Sequence, residues 1–515
     1  MRLTHNVLAN YGGQAVSTVV ALITVPLYLH LLGIEGYGLV SLLLVLQAVT
    51  VVLDFGISTT ANREVASYIA QERPRQDRLD LVRTLEVFYY GTAVAIFLSF
   101  AVLSPWLASN WLTRTAFDSE TVRTCLLIAG ASIALRWPTS LYQGILRGTE
   151  RQVVLNVITS ASTLVRGIGS ILVLAFISRS VVAFYWAQLL FSFVEVAIGV
   201  AAIRWSGDGF EGPGGRFDSV LLRRLWRFSV NVGGLSLFAL ILKQFDKIVI
   251  SSLLPLTQLG FYNAASVASN GLTKFAIPVQ SAVFPRLTRH QQRGDDPELA
   301  RTFHAAVQGI TFLTAPLAFI LIFFARDVLW VWTRNADLAA AAGPPLSVLS
   351  AAILFNTMMS VPFSLLLACG LTWLPLAMNG AGVVVLAPLT FWLVKTHGIT
   401  GAAVSWLVFN ILYYLIVPHV MFRHVLRGEY RAWFVRDTLP FTIVPLVCFG
   451  LAWRASAGGP LLLKASLAAV AGLVYVSVIL GTNRSLRQTL LSLWTGLRRS
   501  RPNVAGVQNA TASIP

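Results

Sequence analysis

Apolar stretches of about 20 residues recur along almost the whole chain. Each is long enough for an α-helix to cross the ~30 Å hydrocarbon core of a bilayer, since a helix rises ~1.5 Å per residue. Only 12% of the 515 residues are charged, far below the share in a water-soluble protein. Because so few charges cannot cover a surface that faces water, the chain is predicted to be an all-α integral membrane protein.

The apolar pattern predicts about 14 transmembrane helices. Their approximate bounds are 7–31, 38–62, 85–109, 123–147, 153–177, 181–204, 228–253, 259–284, 303–330, 345–369, 373–394, 399–422, 438–457 and 461–480. With the N-terminus in the cytoplasm, most of the 39 Lys and Arg residues fall in predicted inside loops. The net charge of +17 therefore indicates topology, with both termini cytoplasmic, and it does not indicate a nucleic-acid-binding protein.

A polar linker and a weak internal repeat predict how the chain is organised. The linker contains SGDGFEGPGG and, by its composition, is expected to be flexible. The segment that begins NYGGQAVSTV resembles the one that begins NVGGLSLFAL, and PTSLYQGILRG resembles PFSLLLACG at nearly the same offset. Two six-helix lobes are therefore predicted, followed by two further helices. The predicted parts are an N-lobe at 1–206, a cytoplasmic linker at 207–227, a C-lobe at 228–425, helices 13 and 14 at 436–482, and a disordered cytoplasmic tail at 500–515.

Polar residues recur inside the predicted spans at steps of three and four, which places them on one face of each helix. Such faces must meet other helices or water, and they indicate either helix–helix hydrogen bonding or a substrate path. Spans one and two carry Asn10, Gln14, Ser17, Thr24, Tyr28, Gln47, Thr50, Asp54, Ser58 and Asn62. Spans four and five carry Ser132, Arg136, Ser140, Gln143, Asn156, Thr159, Thr163, Arg166 and Ser170. Spans seven and eight carry Ser229, Gly233, Ser236, Lys243, Asp246, Lys247, Asn263, Ser266, Asn270 and Lys274.

Charged residues within the spans favour a substrate path, because each costs about 2.5–3.5 kcal/mol to insert at a helix centre. The cations outnumber the acids: Arg136, Arg166, Lys243, Lys247 and Lys274 against Asp54, Glu195 and Asp246. A positive cavity suits phosphate or another anion and repels cationic drugs.

Motifs for soluble catalytic chemistry are absent from the sequence. There is no nucleotide-binding P-loop, no zinc-protease motif, no paired-cysteine metal spacing and no nucleophile elbow. The outer loops are also short for a membrane glycosyltransferase or polymerase. The chain is therefore predicted not to be an enzyme and to need neither a cofactor nor a metal.

Four segments together resemble bacterial polysaccharide-unit flippases, which export O-antigen or exopolysaccharide units. This family is part of the multidrug/oligosaccharidyl-lipid/polysaccharide exporter superfamily. The segments are LLGIEGYGLVSLLLVLQAVTVVLDFGISTTANREVA, FDKIVISSLLPLTQLGFYNAASVA, LYQGILRGTERQ and GITGAAVSW. The resemblance implies export of an undecaprenyl-pyrophosphate-linked oligosaccharide across the bacterial cytoplasmic (inner) membrane by alternating access. It implies the lipid bilayer, the polysaccharide polymerase and the glycosyltransferases as partners.

The predicted site rests on the polar stripes and not on a motif of the family. Arg136, Arg166, Lys243, Lys274 and Asn270 are the candidates for binding the substrate, and Asp54, Glu195 and Asp246 are the candidates for ion coupling. Three alternatives stay open: a flippase for lipid II, a multidrug/cation antiporter of the same superfamily, and a membrane glycosyltransferase or polymerase. The surplus of cations disfavours the antiporter.

Overall fold

A computed structural model describes residues 2–50, 54, 56–112, 114–205, 207, 209, 210, 212, 214–483 and 486–487. Within these ranges all regular structure is helical and there are no strands, so the prediction of an all-α membrane protein is confirmed. The predicted tail at 500–515, the side chains of Asn10 and Ser236, and the burial of Gly233 lie outside what the structure describes.

Within the described residues, eighteen α-helices follow one another, with two π-helical turns at Leu107–Trp111 and Trp433–Thr438. The first nine are α1 (Arg2–Thr50), α2 (Ile57–Ala70), α3 (Arg75–Trp106), α4 (Ser119–Arg136), α5 (Thr139–Gly148), α6 (Gln152–Phe176), α7 (Val181–Arg204), α8 (Ser219–Leu253) and α9 (Leu256–Asn270). The others are α10 (Thr273–Arg293), α11 (Asp296–Phe323), α12 (Ala325–Thr333), α13 (Ala336–Met358), α14 (Ser360–Ala368), α15 (Trp373–His424), α16 (Tyr430–Ala432), α17 (Leu439–Ala455) and α18 (Leu461–Thr482).

Two of these helices are much longer than one membrane crossing needs. Helix α1 has 49 residues and α15 has 52, which correspond to lengths of about 75 Å, more than twice the thickness of the hydrocarbon core. Each is kinked at a glycine with positive φ, Gly33 at 71° and Gly398 at 61°, a conformation that other residues rarely adopt. The kinks lie between the spans that the sequence predicts for these regions. Helix α15 therefore contains two of the predicted spans, and α1 contains the first span and the beginning of the second.

Ten helical segments in the described part of the chain are long and apolar enough to cross a membrane. The two kinked helices count once each among the ten, and the predicted spans seven and eight are not among them. The count of fourteen therefore stays a prediction.

Two predicted spans are interrupted in the structure. The span at 38–62 is divided, because α1 ends at Thr50 and α2 begins at Ile57, with Gly56 in the left-handed region at φ 79°. The span at 259–284 is divided between α9 and α10 at Gly271 and Leu272. An apolar run does not reveal such breaks, because hydropathy reports the mean environment of a segment and not its backbone hydrogen bonds.

The predicted linker at 207–227 is more ordered than its glycine-rich composition suggests. Residues 219–227 are the first turns of α8, and the Asp218 side chain caps that helix. Before them, Phe210 is only 1% exposed, and the Arg78 guanidinium lies 5.6 Å from its ring centroid. The Arg216 amide donates to Asp80 at 2.6 Å. The described part of the linker therefore packs on the start of α3.

The helices form two compact units. Unit 1 comprises the described residues up to Gly271 together with Ala325–Ala352 and Trp373–Tyr413. Unit 2 comprises Leu272–Phe324, Ile353–Thr372 and the described residues from Tyr414 onward. These units are defined by contacts within the structure. The two lobes that the sequence repeat predicts are a separate division of the chain and stay a prediction.

Unit 2 contains a buried polar cluster that fixes α11 to the π-helical turn before α17. Asp437 is fully buried, and its carboxylate contacts the His304 ring and accepts a hydrogen bond from Gln308 at 2.6 Å. Arg436 donates to the same carboxylate at 3.1 Å, and Glu429 lies 3.2 Å from the other ring nitrogen of His304. Buried polar groups in a membrane protein need such partners, because lipid offers none.

Two glycines one helical turn apart allow α2 and α5 in unit 1 to pack closely. A Cβ at Gly144 would lie 2.7 Å from the Ser58 carbonyl oxygen, and one at Gly148 would lie 2.7 Å from the Asn62 carbonyl oxygen. This is the small-xxx-small arrangement that membrane helices use for close approach.

We expect Gly148→Ala to destabilise the protein by about 1–3 kcal/mol, because the added methyl group must push the α2 backbone away. The measurement is the thermal unfolding temperature in detergent. Gly91→Ala on α3 is the matched control, since a Cβ there meets no atom within 4 Å. An equal unfolding temperature for the two variants would contradict the close packing.

Candidate functional site

Unit 1 contains a cavity of about 330 Å³ that is lined by both halves of α1 and by α4, α5, α6 and α7. Val267 of α9 completes the lining. The polar and aromatic residues around it are Thr24, Tyr28, Tyr37, Gln47, Arg136, Gln143, Thr159, Ser162, Thr163, Arg166, Phe184, Gln188 and Glu195. A cavity of this size and mixed lining is typical of a site for a small molecule or for a headgroup.

Two arginines and one glutamate form the charged centre of this cavity. Arg136 at the end of α4 donates from Nε to Glu195 Oε2 at 2.9 Å. Arg166 on α6 donates from Nη1 to the same oxygen at 3.5 Å. The exposed fractions of the side chains are 39% for Arg136, 12% for Arg166 and 4% for Glu195. Since two guanidinium groups share one carboxylate, the centre carries a surplus of one positive charge.

Arg166 is held by a neutral side chain. Gln188 Oε1 accepts from Arg166 Nη2 at 2.7 Å and from Nε at 3.1 Å. The amide nitrogen of Gln188 donates to Ser170 Oγ at 2.9 Å, which fixes the orientation of the amide. An amide orients the guanidinium without cancelling its charge, so the cavity stays positive.

Arg136 has fewer partners than Arg166. Within the described part of the chain it donates to Glu195 only, through Nε. Its two Nη groups can bind a carboxylate or a phosphate in a bidentate manner. Arg136 is therefore the cation of this cavity with the most hydrogen-bonding capacity left for a ligand.

The predicted polar stripes of four spans meet at this cavity. Thr24 and Tyr28 of span one, Gln47 of span two, Arg136 and Gln143 of span four, and Thr159, Thr163 and Arg166 of span five all line it. Glu195, a predicted ion-coupling residue, pairs with the two arginines.

Gln188 was missed by the sequence reasoning, although a signal was present. Gln188, Ser192 and Glu195 follow one another at steps of four and three on α7, and all three are buried. This is the same stripe pattern that identified the other helices.

Asp54 is not part of the cavity lining. It lies between α1 and α2, where it is 9% exposed. Its carboxylate accepts hydrogen bonds from the Tyr89 hydroxyl at 2.5 Å and from the Ser58 hydroxyl at 2.7 Å. These bonds connect Asp54 to α3 and to the first turn of α2.

Asp246 and Lys243 lie on α8, outside the residues that line the large cavity. Asp246 accepts from the Tyr262 hydroxyl at 2.5 Å, and the Lys247 ammonium group lies 3.8 Å away. It borders a small cavity of about 20 Å³, which is room for one water molecule. Lys243 is exposed, and its carbonyl oxygen accepts from Lys247 at 3.3 Å.

The remaining candidates lie at the break between α9 and α10. Asn270 is the last residue of α9 and donates to the Ser266 carbonyl oxygen at 2.7 Å. Lys274 is half-buried on α10 and belongs to unit 2. Among the described residues, no group of three or more His, Cys, Asp and Glu side chains is arranged to hold a metal ion.

Comparison with known sequences gives two matches. The family model described as "Polysaccharide biosynthesis protein" matches residues 3–291, which is more than half of the chain. The Shigella flexneri protein named "Putative O-antigen transporter" is 23% identical over 411 residues, which cover 79% of this chain and 94% of that protein.

Comparison with solved structures shows the fold. The lipid II flippase MurJ in an inward closed conformation matches with a TM-score of 0.68 at 14% identity, over 91% of this chain and 98% of that chain. A multidrug resistance MATE family transporter in an inward-facing conformation matches with a TM-score of 0.66 at 14% identity, over 78% of this chain and 94% of that chain. The proteins that this chain resembles are transporters and flippases, and not enzymes, as the sequence predicts.

Proposed function

Because the chain belongs to the polysaccharide biosynthesis protein family, we propose that it translocates an undecaprenyl-pyrophosphate-linked oligosaccharide across the bacterial cytoplasmic membrane. The observation that carries this proposal is the positive centre of the cavity in unit 1, where Arg136 and Arg166 share the single carboxylate of Glu195. Guanidinium groups suit pyrophosphate and acidic sugars, because they bind oxyanions through charge-assisted hydrogen bonds.

Alternating access is the mechanism that we propose, with both termini in the cytoplasm. The headgroup would enter the cavity from one side and leave toward the other, while the lipid chain stays in the bilayer. Lys243, Lys274 and Asn270 are proposed to contact the headgroup at other stages of the cycle. The polysaccharide polymerase and the glycosyltransferases of the same pathway are the proposed partners.

Coupling to an ion gradient would use buried carboxyl groups. Asp54, Glu195 and Asp246 are the proposed candidates, because protonation of a buried carboxylate can favour one of two conformations. The hydrogen bonds from Tyr89 to Asp54 and from Tyr262 to Asp246 support this role, since they link the two acids to α3 and to α9.

Two other functions occur among proteins with this fold. The solved structures named as a lipid II flippase and as a multidrug transporter match at the same 14% identity, so the likeness concerns the fold and does not distinguish their substrates. A surplus positive charge in the cavity disfavours a cationic drug. The O-antigen transporter match disfavours lipid II, because it covers most of both chains at a higher identity, 23%.

Deletion of the gene in its host tests the proposal. We expect the surface polysaccharide to be lost and its lipid-linked precursor to accumulate, with recovery when the intact gene is supplied on a plasmid. Unchanged polysaccharide together with increased sensitivity to cationic drugs would instead support the antiporter, and depletion of the lipid II supply to the wall would support the lipid II flippase.

A further inference from the structure

Glu195 occupies the position that an anionic ligand would take in the cavity. Both Arg136 and Arg166 donate to one of its oxygens, at 2.9 and 3.5 Å, as two guanidinium groups would donate to a phosphate oxygen. The two arginines differ in how they are held. Arg166 gives Nε and Nη2 to Gln188, whereas Arg136 has Glu195 as its acceptor among the described residues.

We propose that Glu195 competes with the ligand for Arg136, so that Arg136 pairs with Glu195 until a phosphate group replaces the carboxylate as its acceptor. Arg166 is then a positioning residue, which stays paired with Glu195 when the ligand binds. This inference rests on the proposed function and assigns separate roles to the two arginines of its site. The chemistry recognised is a phosphate or pyrophosphate group, which Arg136 would bind through its two Nη groups.

The surroundings of Glu195 explain why only one arginine can leave. A buried carboxylate without a counter-ion is strongly destabilising, so Glu195 must keep a cation when the ligand binds. Arg166 is suited to remain, because it is 12% exposed and is fixed by Gln188 and Ser170. Arg136 is suited to move, because it is 39% exposed.

The other titratable groups near α7 do not pair with Glu195 in place of Arg136 and Arg166. Arg136 faces Glu195 from α4 and Arg166 faces it from α6. Tyr142 of α5 packs near Gly199, and its hydroxyl bonds to Tyr90 and lies near Glu86. Tyr28 of α1 donates to the Gly167 carbonyl oxygen at 3.2 Å. Among the described residues, Arg136 and Arg166 are therefore the cations paired with Glu195, and Arg166 stays as its partner when Arg136 leaves.

The variant Glu195→Gln, and two double variants of equal net charge made from it, test the proposal. Each protein in detergent would be titrated calorimetrically with inorganic pyrophosphate at fixed pH and salt. Glu195→Gln removes the competitor and should bind pyrophosphate about tenfold more tightly than the natural protein, because no carboxylate then competes for Arg136.

The arginines are then removed from the Glu195→Gln background. Arg166→Met in that background should bind pyrophosphate nearly as tightly as Glu195→Gln alone, because Arg166 acts through Glu195. Arg136→Met in the same background should weaken binding by about tenfold or more relative to Glu195→Gln alone. Equal affinities for the two double variants would overturn the division of roles, and weaker binding by Glu195→Gln would overturn the competition. Thermal unfolding of each variant identifies any that fail to fold.

A failure of the competitor inference can be distinguished from a failure of the proposed function. If the natural protein translocates the lipid-linked oligosaccharide in proteoliposomes but the two double variants bind pyrophosphate equally, only the competitor inference fails. If the natural protein neither binds pyrophosphate nor translocates the oligosaccharide, both fail.

Discussion

Arg136→Ala is expected to reduce translocation of the lipid-linked oligosaccharide by roughly a hundredfold, since removing one partner of the charge pair that it would form with a bound phosphate commonly costs about 2–5 kcal/mol. The reason is that Arg136 is the exposed member of the charged centre and retains two Nη groups for the ligand. The measurement is the initial rate in proteoliposomes with equal amounts of inserted protein.

Arg123→Ala is the matched control for this prediction. Arg123 lies on the same helix, α4, but pairs with Glu120 at 3.3 Å and is 46% exposed. Exposed pairs of this kind contribute little, so the control should transport at nearly the natural rate. Arg136→Lys should recover only part of the rate, because an ammonium group lacks the bidentate geometry. A similar loss in Arg123→Ala and Arg136→Ala would indicate a general effect of charge and not a site.

Gly38→Ala is expected to have the second largest effect, because it disrupts the closest approach between α1 and α9 in unit 1. A Cβ at Gly38 would lie 2.3 Å from the Leu256 carbonyl oxygen. On α9, a Cβ at Gly260 would lie 3.1 Å from the Ile34 carbonyl oxygen. Gly38 and Gly260 are separated by the same number of residues as Ile34 and Leu256, so the contact joins equivalent positions of the predicted repeat.

The expected result for Gly38→Ala is a lower unfolding temperature and a loss of most transport. Overpacking of a tight contact costs about 1–3 kcal/mol, and here the added methyl group meets backbone that cannot rotate away. A transporter that alternates between two conformations loses turnover when one of them is destabilised by that amount. Gly380→Ala on α15 is the control, since a Cβ there meets no atom within 4 Å. Natural stability and transport in Gly38→Ala would show that the contact is not needed in the cycle.

Much of this architecture can be predicted from the sequence, because the bilayer restricts where apolar and polar residues can lie. Lipid cannot satisfy polar groups, so the stripes that contain Arg136 and Arg166 had to face the protein interior or water. The same rule does not say which interior surface they meet. Lys243 and Asn270 sit on similar stripes, yet they are not among the residues that line the large cavity. A helical stripe fixes a direction around one helix, and the neighbour in that direction depends on packing across the whole unit.

Other features depend on contacts between residues far apart in the sequence. The stripe on α7 could have placed Gln188 on an inward face, but its role follows from hydrogen bonds to Arg166 and Ser170 that no local pattern specifies. The described part of the linker is a second case, because Phe210 is buried and lies against the Arg78 guanidinium, although the surrounding glycines suggest flexibility. In both cases the local composition was compatible with several structures, and tertiary contacts selected one of them.

Translocation in proteoliposomes is the most direct test of the central claim, that a cationic cavity in this chain carries an anionic lipid-linked headgroup. The purified natural protein and the Arg136→Ala variant would be reconstituted with an undecaprenyl-pyrophosphate oligosaccharide, and its appearance in the opposite leaflet would be followed over time. We predict translocation by the natural protein and near-background rates in the variant. Equal rates in both would contradict the role of the cavity, and efflux of a cationic dye without any translocation would contradict the proposed function.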